Sequence, residues 1–275
     1  MDKELKQILL KAKKAVFSNL TGENLSRLKG DGIDLRDIKP YEWGDDIRRI
    51  NWKATAKTGN ILVNSYDEYK QLDISLIYLA SATLNFGSKR LKQDVASEVL
   101  AYLLFSSYKN KDRCETLFFA EDILKSYPPV KNINQVDEIV ESAFELDTFY
   151  KTINYDNLIQ EINKRYKKGR IIVFVGDFLT LPDFSKLNPK HQTYAVVIRD
   201  RLEESLEFDG EMSFKDPTTF KSEEFFINHD TKNRYKKLLI DHDKALKEEF
   251  LKKEIDFQKI KTEDDVYLRL TELFK

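Results

Sequence analysis

Leu72-Asp73-Ile74-Ser75-Leu76-Ile77-Tyr78-Leu79 decides the fold. A mostly apolar run of strand length, without strict alternation, suits a strand covered on both faces, as in a parallel sheet with helices on either side. Downstream, Leu91, Val95, Val99, Leu103 and Leu104 recur at helical spacing between Lys89 and Tyr108, with Ser88 in position to cap the N-terminus. Thr116 to Ala120, Arg170 to Val175 and Tyr194 to Arg199 are further β-branched and aromatic runs. Between them lie helical patterns at Gln135 to Phe144 and Tyr155 to Tyr166, the second placed to be closed by Gly169.

Strands alternating with helices predict an α/β fold, a three-layer α/β/α sandwich on a mainly parallel sheet. Glu207 to Ile227, containing Gly210, Asp216 and Pro217, reads as a hairpin or loop. The chain then closes with helices at about His229 to Lys252 and Thr262 to Phe274 and a short strand at Ile255 to Phe257 between them. Residues 71–275 form the expected main domain, and residues 1–70 a β-rich or irregular extension, with turns around Lys29-Gly30-Asp31-Gly32 and Gly44-Asp45-Asp46. Binding sites in such sheets form at the carboxyl ends of the strands. Ala80 to Ser88 and Gly176 to Thr180 are therefore the loops where function is expected.

Charge and composition exclude several classes of function. The 46 basic and 47 acidic residues leave a formal charge of -1, so no global field recruits nucleic acid or an anionic membrane. A local basic cluster, Lys11, Lys13 and Lys14, sits on an amphipathic N-terminal pattern whose Leu9, Leu10 and Val16 are expected to face the protein. No signal-type apolar region or run of about 18 apolar residues is evident, so no membrane span is expected and the cytoplasm is the expected compartment. Cys114, the single cysteine, reads as a buried thiol at a strand start. His191, His229 and His242 lack metal-ligand spacing, with His242 expected to be exposed, and neither a phosphate loop nor a Gly-x-Ser-x-Gly elbow occurs. Nothing in these patterns supports an enzyme.

Two stretches carry a family resemblance. The first is Gly32-Ile33-Asp34-Leu35-Arg36-Asp37-Ile38, Tyr41, then Gly44-Asp45-Asp46-Ile47-Arg48-Arg49-Ile50-Asn51-Trp52-Lys53-Ala54-Thr55-Ala56. The second is Leu79-Ala80-Ser81-Ala82-Thr83-Leu84-Asn85-Phe86-Gly87-Ser88, with Gly176-Asp177-Phe178 later. Together they resemble the von Willebrand factor A-like bacterial proteins called domain of unknown function 58 (DUF58), often associated with MoxR-type AAA+ ATPases. Arg199-Asp200, Glu203, Asp216-Pro217 and Ile255-Asp256-Phe257 extend the similarity, which runs from about Leu20 to Lys275.

The resemblance implies a metal-ion-dependent adhesion site, Asp-x-Ser-x-Ser, at the end of the first core strand. Here Leu79 occupies the aspartate position, so the site is degenerate and no cofactor is expected, weak magnesium binding through Asp177, Ser81 and Thr83 being the alternative. Asn51 likewise stands where the family usually has aspartate. Ser81, Thr83, Asn85 and Asp177 become the candidate binding groups, in a metal-free pocket. Gly44, Asp45, Asp46, Arg48, Asn51 and Trp52 read as structural: the two aspartates cap the turn of Ile47 to Trp52 and pair with Arg36, Arg48 or Arg49, while Ile47, Ile50 and Trp52 anchor the segment on the main domain. The implied function is a non-catalytic protein-binding adaptor, working with a MoxR-type ATPase on a client protein in the assembly or maturation of complexes. The alternative is a metal-dependent nuclease at Asp45, Asp46 and Lys53, or a hydrolase at Asp177.

Overall fold

The computed structural model describes residues 2–18, 31–69 and 71–274, with side chains from position 38 to 64 in the second of these segments. Lys29 and Gly30 of the first turn, the side chain of Arg36, and the ends of the resemblance at Leu20 and Lys275 lie outside the described residues. The chain divides into one unit of Met1–Arg27 with Asp73–Lys275 and a second unit of Leu28–Leu72.

In the larger unit α1 (Lys3–Ser18) precedes β3 (Asp73–Leu79), α3 (Lys92–Asn110), β4 (Arg113–Phe119) and β5 (Ile123–Tyr127); β1 (Asp31–Pro40), α2 (Trp52–Thr58) and β2 (Leu62–Tyr69) belong to the smaller unit. Then follow α4 (Ile133–Phe144), α5 (Tyr155–Arg165), β6 (Ile171–Gly176), β7 (Gln192–Arg199) and the short α6 (Arg201–Glu204). A hairpin of β8 (Gly210–Lys215) and β9 (Ser222–Ile227), then α7 (His229–Lys252), β10 (Asp256–Lys261) and α8 (Val266–Leu273), complete it. Six strands form one sheet in the order β10-β7-β6-β3-β4-β5, parallel except for the antiparallel pair β4 and β5. The expected three-layer sandwich is present.

β3 lies at the middle of the sheet, and Ile74 to Leu79 are all buried, as its unbroken apolar run requires. Ile77 and Leu79 face a cluster built with Phe174 of β6, Leu158 and Ile162 of α5 and Phe250 of α7. On the other side α3 packs against α1, α4 and α8 and is buried over most of its length. α1 therefore belongs with this unit rather than with an extension. It buries Leu5, Ile8, Leu9, Ala12 and Val16, while Leu10, expected to face inward, is exposed. Lys11 of the basic cluster pairs with Glu98 of α3 at 2.9 Å.

Neither of the expected helix caps is used, and α8 begins at Val266 rather than near Thr262. α3 starts at Lys92 and is capped by Asp94, whose carboxylate accepts the Leu91 N–H at 3.0 Å; Ser88 is drawn instead to Asp200. α5 ends at Arg165 with Tyr166 as its C-cap, so Gly169 does not close it. A Cβ at Gly169 would stand 2.8 Å from the Lys190 carbonyl oxygen, which makes close backbone approach the reason for glycine there. Cys114 is buried, and desolvation pushes its thiol up to about 12, as an inert core residue requires.

In the smaller unit β1 (Asp31–Pro40) pairs antiparallel with β2 (Leu62–Tyr69), with register shifts between Asp31 and Asp34 and between Leu35 and Asp37. A 3₁₀ turn, Ile47–Arg49, and α2 (Trp52–Thr58) bridge them. Asn51 caps α2 by accepting the Ala54 N–H at 3.0 Å and donates to Asn64 Oδ1 at 2.9 Å. Asn51→Ala removes both bonds and is expected to cost about 1–2 kcal/mol, read as faster amide exchange at Ala54 and along α2 while the six-stranded sheet stays protected.

Asp94 generates a pH dependence. Burial raises its carboxyl, the Leu91 N–H lowers it and Glu4 raises it further, giving about 6. The folded state thus holds this proton more tightly than the unfolded chain, and the charged form costs stability once pH rises from about 4 through 6. Asp94→Asn keeps the capping acceptor without the charge. Melting should show it about 1–3 kcal/mol more stable than wild type at pH 7, with the gain vanishing near pH 4.

Candidate functional site

At the carboxyl end of the sheet, three candidate groups converge. Ser81 and Thr83 flank the start of a 3₁₀ turn, Ala82–Asn85, directly after β3, and Asp177 follows β6. The Thr83 hydroxyl donates to Asp177 Oδ2 at 2.5 Å, that of Ser81 lies 3.3 Å from Oδ1, and the two hydroxyls are 2.9 Å apart. Asn85 points elsewhere: its Nδ2 donates to Thr148 Oγ1 at 2.6 Å and to the Ala82 carbonyl at 3.2 Å, tying the turn to the loop after α4.

The centre of the cluster is a residue that the sequence reading passed over. Lys92, in the first turn of α3, is fully buried, and its Nζ donates to Asp177 Oδ2 at 3.0 Å and to Glu203 Oε1 at 2.5 Å. Arg199, at the end of β7 and also fully buried, donates to the Asp177 backbone carbonyl. Burial pushes the Asp177 carboxyl up, but Lys92, the Thr83 hydroxyl and Arg199 outweigh it and hold the group below the usual carboxylate range. Glu203 goes the other way, because its burial exceeds what Lys92 returns.

A second hub lies beside the first. Asp200, buried at the N-cap of α6, accepts from Ser88 N at 2.9 Å, Ser88 Oγ at 3.0 Å and Thr262 Oγ1 at 2.6 Å through Oδ2, and from Leu202 N at 2.9 Å through Oδ1. Glu203 Oε2 completes the capping box on the Asp200 N–H at 3.0 Å. His242, expected to be exposed, is partly buried and reaches the Leu179 carbonyl with Nε2 at 3.1 Å.

These residues do not fit a divalent cation. Both oxygens of Asp177 already accept bonds, the second from an ammonium and a hydroxyl, and Leu79 is 1% exposed with its side chain in the hydrophobic cluster. Among the described residues no group of three or more His, Cys, Asp or Glu side chains is arranged to hold a metal. Where a metal-free pocket is expected, the buried Lys92 ammonium stands against Asp177. A Cβ at Gly176 would stand 2.8 Å from Leu79 Cβ and 3.1 Å from its Cδ1, so the glycine before Asp177 is what admits the leucine.

The Gly-Asp-Asp stretch is also internally satisfied. Asp45 accepts from Lys39 Nζ at 3.0 Å and the Glu42 N–H at 2.9 Å, so its partner is a lysine rather than the expected arginine. Asp46 caps the 3₁₀ turn through the Arg48 N–H at 3.0 Å and pairs with the Arg48 guanidinium, also at 3.0 Å. Backbone and side-chain donors hold both carboxyls below their ordinary range, led by the Glu42 N–H for Asp45 and the Arg48 side chain for Asp46. Gly44 turns the chain at φ +108°, a conformation L side chains rarely adopt. Ile47 and Trp52 are 66% and 70% exposed, and Trp43 is fully exposed.

An α/β sandwich whose strand-end site is closed on itself is the class of protein these features define. The chain belongs to the family described as protein of unknown function DUF58, whose model matches residues 37–245. It is 21% identical to the uncharacterized protein Rv1480 of Mycobacterium tuberculosis over 231 residues, 82% of this chain and 73% of that one, and equally to the uncharacterized protein Mb1516 of Mycobacterium bovis. Among solved structures it is similar to the conserved hypothetical protein BatB of Bacteroides thetaiotaomicron, at 10% identity and a TM-score of 0.46, over 74% of this chain and 96% of that one. An aerotolerance-related membrane protein of Bacteroides fragilis aligns over 66% of this chain and 99% of its own, at 12% identity and a TM-score of 0.42. Among the described residues no helix is long and apolar enough to cross a membrane.

Restoring the carboxylate alone should fail. Leu79→Asp places a charge in a buried apolar cluster, and denaturant melting is expected to show a loss of about 3–5 kcal/mol that millimolar magnesium does not recover.

Proposed function

We propose that this protein is a non-catalytic interaction adaptor, with the von Willebrand factor A-like arrangement its sequence resembles. It works in the cytoplasm with a MoxR-type AAA+ ATPase in the assembly or maturation of protein complexes. The observation that carries the class is the saturation of Asp177. A general base or a metal ligand must present a lone pair to a substrate or an ion, and this carboxylate is buried and bonded to Lys92, Thr83 and Ser81. The ATPase as partner is supported by the resemblance of the Gly32 to Ala56 signature to proteins associated with such ATPases.

Recognition on this reading runs on shape, hydrogen bonds and apolar contact. Trp43, Ile47 and Trp52 offer the exposed aromatic and aliphatic side chains that dominate binding energy at protein interfaces. Affinity capture from native cells, with ATP or ADP present, tests the proposal. An AAA+ ATPase should be recovered reproducibly, and Trp43→Ala combined with Trp52→Ala should reduce its recovery about tenfold or more. Repeated capture of other proteins without any AAA+ ATPase would sink the assignment.

A further inference from the structure

Lys92 stands where the physics of helices disfavours it. The first turn of a helix presents free N–H groups and the positive end of the dipole, so anions belong there and cations do not. Lys92 is nonetheless the first residue of α3, fully buried, with its ammonium 3.0 Å from Asp177 Oδ2 and 2.5 Å from Glu203 Oε1. Three strand ends supply the network around it: Asp177 after β6 and Glu203 after β7 accept from the ammonium, and the Ser81 and Thr83 hydroxyls after β3 bond to Asp177. Every one of these groups is an oxygen donor of the kind that hard divalent cations bind.

We propose that Lys92 is a tethered cation whose ammonium takes the place of a free divalent ion between Asp177, Glu203 and the Ser81 and Thr83 hydroxyls, so that truncating it turns a closed cluster into a divalent-cation site. Charge supports this. Lys92 is the ion-pair partner of both Asp177 and Glu203, whereas Arg199 donates to the Asp177 backbone carbonyl and pairs with Asp243, so removing the ammonium leaves two buried carboxylates without their partner, an excess that demands a counter-ion. Shortening the side chain to alanine also vacates the space of three methylenes and a nitrogen, room for an ion and the waters that complete its shell. In the wild type an incoming ion must displace an ammonium that cannot diffuse away and would remain buried without acceptors. The inference concerns only this cluster and stands or falls independently of the ATPase assignment.

Calorimetric titration of the full chain with Mn²⁺ and with Ca²⁺ tests it, paired with melting in the presence and absence of each ion. Wild type should give no saturable heat. Lys92→Ala should bind one ion about tenfold or more tighter than any wild-type signal, and should melt higher with the ion than without it. Adding Asp177→Asn should abolish that binding, and Lys92→Met, which refills the space without charge, should bind nothing. A Lys92→Ala chain that folds only when Mn²⁺ or Ca²⁺ is supplied would support the proposal equally. Saturable wild-type binding that Asp177→Asn removes would overturn it. So would a Lys92→Ala chain that folds without binding, that keeps its binding in the Asp177→Asn background, or that folds neither with the ions nor without them.

Discussion

A single buried ammonium holds the carboxyl end of this sheet together. Parallel sheets bring the ends of successive strands side by side, and here those ends carry Asp177 and Glu203, two acids that repel in a low-dielectric setting unless a cation stands between them. Lys92 reaches that point from α3, so one ion pair joins the helix to the ends of two strands. The neighbouring Asp200 hub extends the tie to Ser88 in the loop after β3 and to Thr262 after β10. Tyr235 of α7 donates to the Glu203 carbonyl at 2.6 Å and brings the last long helix into the same network. Loops of this kind are often the movable parts of an α/β protein, but here their polar groups are spent on one another.

The apolar side of the same strand end follows a complementary logic. With leucine at position 79, the end of β3 contributes to the core instead of to a polar site, and its packing against Gly176 exploits the absence of a side chain there. Burying a leucine gains roughly 1.5–3 kcal/mol. A carboxylate at that position would need an oxygen-seeking ion to offset its desolvation. The leucine, the glycine and the buried lysine are therefore one consistent solution: hydrophobic burial below, an internal ion pair above.

Much of the architecture was legible because burial leaves a simple signature. β3, β6 and β7 are continuous apolar runs, and α4 and α5 show regular apolar spacing; both patterns translate directly into structure. β5 was not legible. Ile123-Leu124-Lys125-Ser126-Tyr127 lies at the sheet edge, mostly exposed, and pairs antiparallel, so it lacks the apolar continuity of its neighbours. Of the candidate site, Ser81, Thr83 and Asp177 could be placed by motif, but Lys92 could not, because a lysine within a helical pattern reads as a solvated residue. The available signal was its conflict with the dipole at a helix start, which becomes informative only once the helix boundary is known to fall at Lys92 and not three residues earlier. Arg199 carried a similar hint, as a charge ending an apolar strand.

The smaller unit separates its polar and apolar residues in a way that bears on recognition. Lys39, Asp45, Asp46 and Arg48 neutralise each other at short range, and Asn51 joins α2 to β2 through Asn64. Charges so paired gain little from meeting a partner, since a new ion pair would have to break an existing one. Trp43, Ile47 and Trp52, by contrast, stay in water on the same short stretch. Exposed aromatic surface is costly to leave solvated and gains most when covered. The residues that make this stretch recognisable in sequence thus divide into a scaffold that is already satisfied and an apolar set that is not, and it is the second set from which binding energy can be drawn.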